Sequence, residues 1–170
     1  MKLTDLLEAQ EVTLIGKMIG GKIFTADMSE KPWKSGFGFD CSKLKLTTLR
    51  GCPSSVGGDF YCSNNKLTSL VGAPSSVGGD FGCFNNNLTS LHDVHKIIKK
   101  MNGPFWARNN PITSCVLGVL LIESCISLSI DILKVEKIIR KYLPNTRGFS
   151  AVIECQSELL DAGLDEYAKL

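Results

Sequence analysis

A chain of 170 residues with 44% apolar and 21% charged side chains can bury one fair core, and this composition excludes a disordered chain. The formal net charge of +2 is too weak to argue for a nucleic-acid partner. The most apolar run, residues 116–122, is too short to span a bilayer, and Asp5 and Glu8 fall where an export signal would be apolar, so a cytoplasmic protein is expected.

In chain order, Leu3, Leu6, Leu7 and Gln10 have helical spacing. Residues 12–15 and 22–25, on either side of Gly20 and Gly21, have the composition of short strands. Residues 1–32 thus read as an N-terminal cap over an open strand edge, ended by Pro32, with Trp33 packing at the junction.

Residues 33–115 repeat. Phe60, Cys62, Asn65, Leu67 and Leu70 recur twenty-one residues later as Phe81, Cys83, Asn86, Leu88 and Leu91. A period of this length is the mark of a solenoid, in which one turn cannot bury its own apolar face. The Phe and Cys slots lie two apart, so in a strand both point into the core, while Asp59, Tyr61 and Ser63 point out. Asn65 and Asn86 are placed to form an inward ladder that satisfies turn backbone. Pro53 and Pro74, with the pairs Gly57-Gly58 and Gly78-Gly79, read as an irregular outer crossing.

One degraded turn extends the array each way. Upstream are Phe39, Cys41, Leu46 and Leu49, with Leu44 where the asparagine should be. Downstream are Phe105, Ala107, Asn109-Asn110, Ile112 and Cys115, after a crossing in which Val94, Ile97, Ile98 and Met101 predict a short amphipathic helix.

Residues 116–170 are expected to form a C-terminal strand and helical cap. The apolar run at 116–122 seals the last turn. Asp131 as N-cap and Pro144 as stop then bound a helix with Ile132, Val135, Ile138, Ile139 and Tyr142 on one face. Lys134, Lys137, Arg140 and Lys141 make its other face basic. A second helix, about 150–163, carries Glu154, Glu158 and Asp161, so the two complement each other in charge; the tail 164–170 is expected to be helical too.

The fold class expected is α+β, a short leucine-rich-repeat-like solenoid of about four turns with caps at both ends. The pattern Phe-x-Cys-x-x-Asn-x-Leu resembles the leucine-rich signature with Phe and Cys in the strand slots. Leu-Thr-Ser-Leu at 67–70 and 88–91, and Ser-Ser-Val-Gly-Gly-Asp-Phe at 54–60 and 75–81, resemble the leucine-rich-repeat-like proteins of large tailed bacteriophages. So do Ile138-Ile139-Arg140-Lys141-Tyr142-Leu143 and the ending at 155–170. The resemblance covers about residues 36–170. It implies a protein made inside an infected bacterium, with a repeat module that serves as a binding surface, and it brings no catalytic motif.

Other signals weigh less. Gly57-Gly58-Asp59-Phe60 and its repeat resemble a nucleotide-cyclase signature, but Phe stands where an acid is required and the motif recurs as a repeat element. His92 and His95 are helical neighbours without a third metal ligand in evident spacing. Cysteines number seven, with no C-x-x-C; Cys41, Cys62 and Cys83 share one repeat slot and read as a buried thiol column. A Cys–His pair such as His95 with Cys115 is possible on paper, yet Cys115 occupies a core-leucine slot.

The outer strand face is more informative. One outward slot holds Asp40, Tyr61, Gly82 and Trp106, and the next holds Ser42, Ser63, Phe84 and Arg108. Tyr61, Phe84 and Trp106, flanked by Asp40, Asp59, Asp80 and Arg108, have the make-up of a binding hot spot. The expectation is a non-catalytic protein-binding module without cofactor or metal, directed at a host protein such as one of an antiviral system. A Cys/His enzyme, a nucleic-acid mimic or binder, and a virion or assembly component are the alternatives.

Overall fold

The computed structural model describes residues 18–19, 22–23, 34–145 and 147–170. Two parallel sheets wind through it as one solenoid. The first is built from the Phe slots: β4 (Phe39–Asp40), β6 (Phe60–Tyr61), β8 (Phe81–Gly82), β10 (Phe105–Trp106) and β11 (Leu128–Ser129) stack in sequence order. Register follows the repeat, with Phe39 opposite Phe60, Phe60 opposite Phe81, and Phe81 opposite Phe105. The rings form a core column with centroids 6.1, 5.1 and 5.1 Å apart. Phe60, Phe81 and Phe105 are fully buried, and truncating any of them to alanine would cost about 3–5 kcal/mol.

The second sheet corrects the sequence reading. The crossing expected to be irregular contains β3 (Lys34–Ser35), β5 (Ser55–Val56), β7 (Ser76–Val77) and β9 (Lys100–Met101), paired in parallel and in register. Val56, Val77 and Met101 point inward against the phenylalanine column's core. The glycine pairs are the corners between the two sheets. A Cβ on Gly78 would stand 2.1 Å from the Gly57 carbonyl oxygen, and one on Gly57 would stand 2.3 Å from that of Gly36. Successive corners stack backbone on backbone, which is why the slot is glycine.

The asparagine ladder is present. Asn86 Nδ2 donates to the carbonyls of Cys62 and Cys83 at 3.1 and 3.0 Å, and its Oδ1 accepts from Leu67 N at 3.0 Å. Asn65 joins Cys41 and Cys62 in the same way and accepts from both Leu44 and Leu46, so the turn that lacks its own ladder asparagine is served by the next. Asn110 repeats the pattern one turn on. Each amide satisfies backbone groups of two turns, where an unmade bond costs about 1–3 kcal/mol. The residues just before the ladder, Asn64, Asn85 and Asn109, take left-handed φ of 54–56°, a conformation asparagine tolerates better than most side chains.

The solenoid has about five turns. Leu128 and Ile130 fill the slots of Phe and Cys, and β11 pairs with β10 through Phe105–Leu128 and Trp106–Ser129. The fifth turn escapes the sequence pattern because it has neither Phe, Cys nor a ladder asparagine. The apolar run forms a buried 3₁₀ helix, Leu117–Leu121, and the strand of this segment is β11. The 3₁₀ helix packs on α1 (Val94–Ile97), the short helix expected in the preceding crossing, which covers only one turn: Ile98 is already extended and Met101 belongs to β9.

The C-terminal cap consists of α2 (Leu133–Arg140) and α3 (Phe149–Asp161). Val135, Ile138 and Ile139 bury the expected face of α2. Asp131 is not its N-cap: the side chain accepts instead from Asn109 N at 2.6 Å, reaching back across one turn, and Ile132 holds the cap position. Lys141 pairs with Glu158, so the two helices do meet through opposite charge. The tail is a series of turns, not a helix, whose Glu166 carbonyl accepts from Cys115 N at 2.9 Å. At the N-terminal end, Met18–Ile19 and Lys22–Ile23 (β1 and β2) form an antiparallel pair. The helix expected at 3–10, the strand expected at 12–15 and Trp33 lie outside the described residues.

Candidate binding face

The outward slots of the Phe sheet carry the predicted site residues. Strand alternation sends Asp40, Tyr61, Gly82, Trp106 and Ser129 away from the core in one register column. Gly82 decides how that column is used. A Cβ there would lie 2.5 Å from Tyr61 Cδ1 and 2.9 Å from Cε1, so the missing side chain is the space in which the Tyr61 ring lies. The tyrosine covers its neighbouring strand instead of standing free.

Carboxylates fix the rings. Asp59 Oδ1 accepts from Asp80 N at 2.9 Å, and its Oδ2 accepts from the Tyr61 hydroxyl at 3.4 Å. Asp80 Oδ2 accepts from Trp106 Nε1 at 3.2 Å. Asp40 Oδ1 accepts from Ser42 N at 2.8 Å, which orients the first carboxylate of the row. Asp59, Tyr61, Asp80 and Trp106 are therefore one linked set, with Trp106 still 38% exposed. Burial raises the Tyr61 phenol pKa, and the carboxylates of Asp59, Asp80 and Asp40 push it further the same way.

Phe84 is half-buried in the next outward slot. Ser63, in that same slot one turn earlier, points out of the sheet yet is only 1% exposed, and its hydroxyl has no hydrogen-bond partner. Its Oγ lies 3.5 Å from where a Cβ on Gly82 would stand, at the edge of the Tyr61 ring. Arg108 is not a free side chain of this face. Its Nε donates to Ser129 Oγ at 2.7 Å and its Nη2 lies 3.7 Å from Glu136 Oε2. Neither Gly82 nor Glu136 was singled out by the sequence reading. The available signals were a glycine in a column of large side chains and a lone acid on a basic helix face.

The remaining candidates are dispersed. His92 Nε2 lies 3.3 Å from Asp93 Oδ2, whereas the His95 Nδ1 is buried without a partner near Gly118. Among the described residues no group of three or more His, Cys, Asp and Glu converges as metal ligands would. Cys41, Cys62 and Cys83 form the buried thiol column. The neighbouring Cys41 thiol and burial push the Cys52 thiol up; burial pushes up the thiols of Cys62 and Cys83 as well, and those of Cys125 and Cys155 to about 12. All five move away from the thiolate a nucleophile requires. Among the described residues no helix is long and apolar enough to cross a membrane.

No family model matches this chain, and neither a curated protein nor a solved structure is significantly similar to it.

Proposed function

We propose that the chain is a non-catalytic protein-binding module that works through the outer face of its Phe sheet. One observation carries this reading: Tyr61 and Trp106 lie outside a core already complete without them, held in place by Asp59 and Asp80. Ordered aromatics rimmed by polar groups lose little conformational freedom on binding, which is the property of a hot spot. The resemblance to bacteriophage repeat proteins supports a host protein as the partner, one of an antiviral system for instance, which the module would inhibit or redirect in the bacterial cytoplasm.

The test is capture of a partner from bacterial lysate, identification by mass spectrometry, and titration of the purified pair. Tyr61→Ala, Phe84→Ala and Trp106→Ala should leave folding nearly intact and each cost about 2 kcal/mol of binding at a true hot spot. Charge reversal of Lys134, Lys137, Arg140 and Lys141 on α2 is the control. A partner that tolerates the triple aromatic change but is lost on helix reversal would move the working surface to the C-terminal cap.

A further inference from the structure

The row of side chains around Tyr61 has a chemistry of its own. Three carboxylates, Asp40, Asp59 and Asp80, stand around one aromatic ring: Asp40 lies opposite Tyr61 in the sheet register, Asp59 accepts from its hydroxyl, and Asp80 follows on the next turn, its N–H bonded to Asp59. The arginine of this face, Arg108, is drawn away to Ser129 and Glu136. Each carboxylate spends oxygen lone pairs on backbone or ring donors, but each carboxylate oxygen can accept more than one hydrogen bond. A second polar group points the same way: the Ser63 hydroxyl, buried beside the ring, has no hydrogen-bond partner among the described residues.

We infer that the face takes an arginine side chain from a protein partner, its guanidinium lying on the Tyr61 ring and donating to the carboxylates of Asp40, Asp59 and Asp80. A guanidinium is planar, stacks on aromatic faces and carries five N–H donors, more than a lysine ammonium can direct into one plane. Trp106, pinned by Asp80, walls the far side of the site. Overall charge does not produce this preference, because the chain as a whole carries a formal +2 and repels a basic segment; the attraction is local to the face.

This inference rests on the sheet face being the working surface, and the experiment separates the two. The probe is an acetylated, amidated, fluorophore-labelled peptide of alternating arginine and glycine, titrated into the whole protein by fluorescence anisotropy. Matched peptides carry citrulline, lysine or glutamate in place of arginine. The arginine peptide should bind most tightly, lysine should be weaker, and citrulline and glutamate should fail to saturate. The triple variant Asp40→Asn/Asp59→Asn/Asp80→Asn keeps one acceptor oxygen at each position, and its circular dichroism and melting curve verify the fold. It should lose at least about tenfold in affinity, because the donors of the guanidinium then meet neutral amides in place of carboxylates. Tyr61→Ala should lose a similar factor, and Tyr61→Leu, which refills the space over Gly82 without an aromatic face, should not restore it. Equal binding of arginine and citrulline peptides, or unchanged binding by a folded triple variant, would overturn the inference. For a captured natural partner, sensitivity to Trp106→Ala without sensitivity to the triple variant would keep the face and reject the arginine. Insensitivity to both would reject the face itself.

Discussion

Arg108 and Glu136 join the solenoid face to the helical cap, Nη2 to Oε2 at 3.7 Å. Glu136 is 3% exposed, accepts from Ile130 N at 2.8 Å and pairs with Arg140 at 2.9 Å, so one buried carboxylate holds the fifth turn, α2 and the outer face together. Glu136→Ala should destabilise by about 1–3 kcal/mol, because it strands the buried Ile130 N–H. Arg108→Ala should cost less than about 1 kcal/mol, since that side chain is half in solvent and Arg140 remains. Urea midpoints of the two variants give the comparison. A Glu136→Ala protein as stable as the parent would mean the cap is held by apolar contacts alone.

The corner glycines predict a position-specific cost. At Gly78 an added methyl meets the backbone oxygen of Gly57 at 2.1 Å, while at Gly36 nothing among the described residues lies within 4 Å. Gly78→Ala should therefore destabilise by about 1–3 kcal/mol or more, as overpacking against an obstacle that cannot rotate away does. Gly36→Ala should be close to neutral. Equal melting temperatures for the two would show that the corners do not stack as closely as described.

How much of this was legible beforehand follows from what a repeat records. Phe60 and Phe81, Asn65 and Asn86 recur because every turn must solve the same packing and hydrogen-bonding problem, so the Phe sheet, the ladder and the outward slots could be read directly. The second sheet was hidden because Ser55-Val56 and Ser76-Val77 are only two residues long and bounded by Pro and Gly, which signal irregular backbone. The fifth turn was hidden because Leu128 and Ile130 fill the Phe and Cys slots with other apolar side chains, which keep the core but not the signature. The residues of the outer face were placed by alternation alone. Their mutual contacts were not, because those depend on the absence of a side chain at Gly82 and on a carboxylate, Glu136, that comes from a different element.

The thiols should react in an order set by burial. Cys62 and Cys83 are fully buried, with pKa values raised by desolvation, whereas Cys52 and Cys115 are half-buried. A thiol reagent applied to the native protein should modify Cys115 first, Cys52 more slowly because its thiol is held protonated, and Cys62 and Cys83 only at the rate of unfolding. Peptide mapping after a timed pulse reads the order. Rapid native labelling of Cys62 or Cys83 would show that the column is open to solvent and would reopen a reactive role for it.

His95 makes stability depend on pH. Its Nδ1 is buried without a partner near Gly118 of the 3₁₀ helix, and burial lowers its pKa below the ordinary histidine value. Asp93 opposes that shift, while Lys96, Lys99 and His92 add to it. The folded state thus prefers the neutral ring, and the unfolded chain takes up the proton more readily. Where the unfolded state binds more protons, stability rises with pH. The contribution is whole above the unfolded value of about 6.5 and is lost as pH falls from there through the folded value. Urea midpoints should therefore drop between about pH 7.5 and about pH 5.5, a window in which histidine is the side chain that ordinarily titrates. His95→Gln should flatten that drop. A His95→Gln protein with the parent's full acid sensitivity would assign the dependence to another group and remove the buried imidazole as its cause.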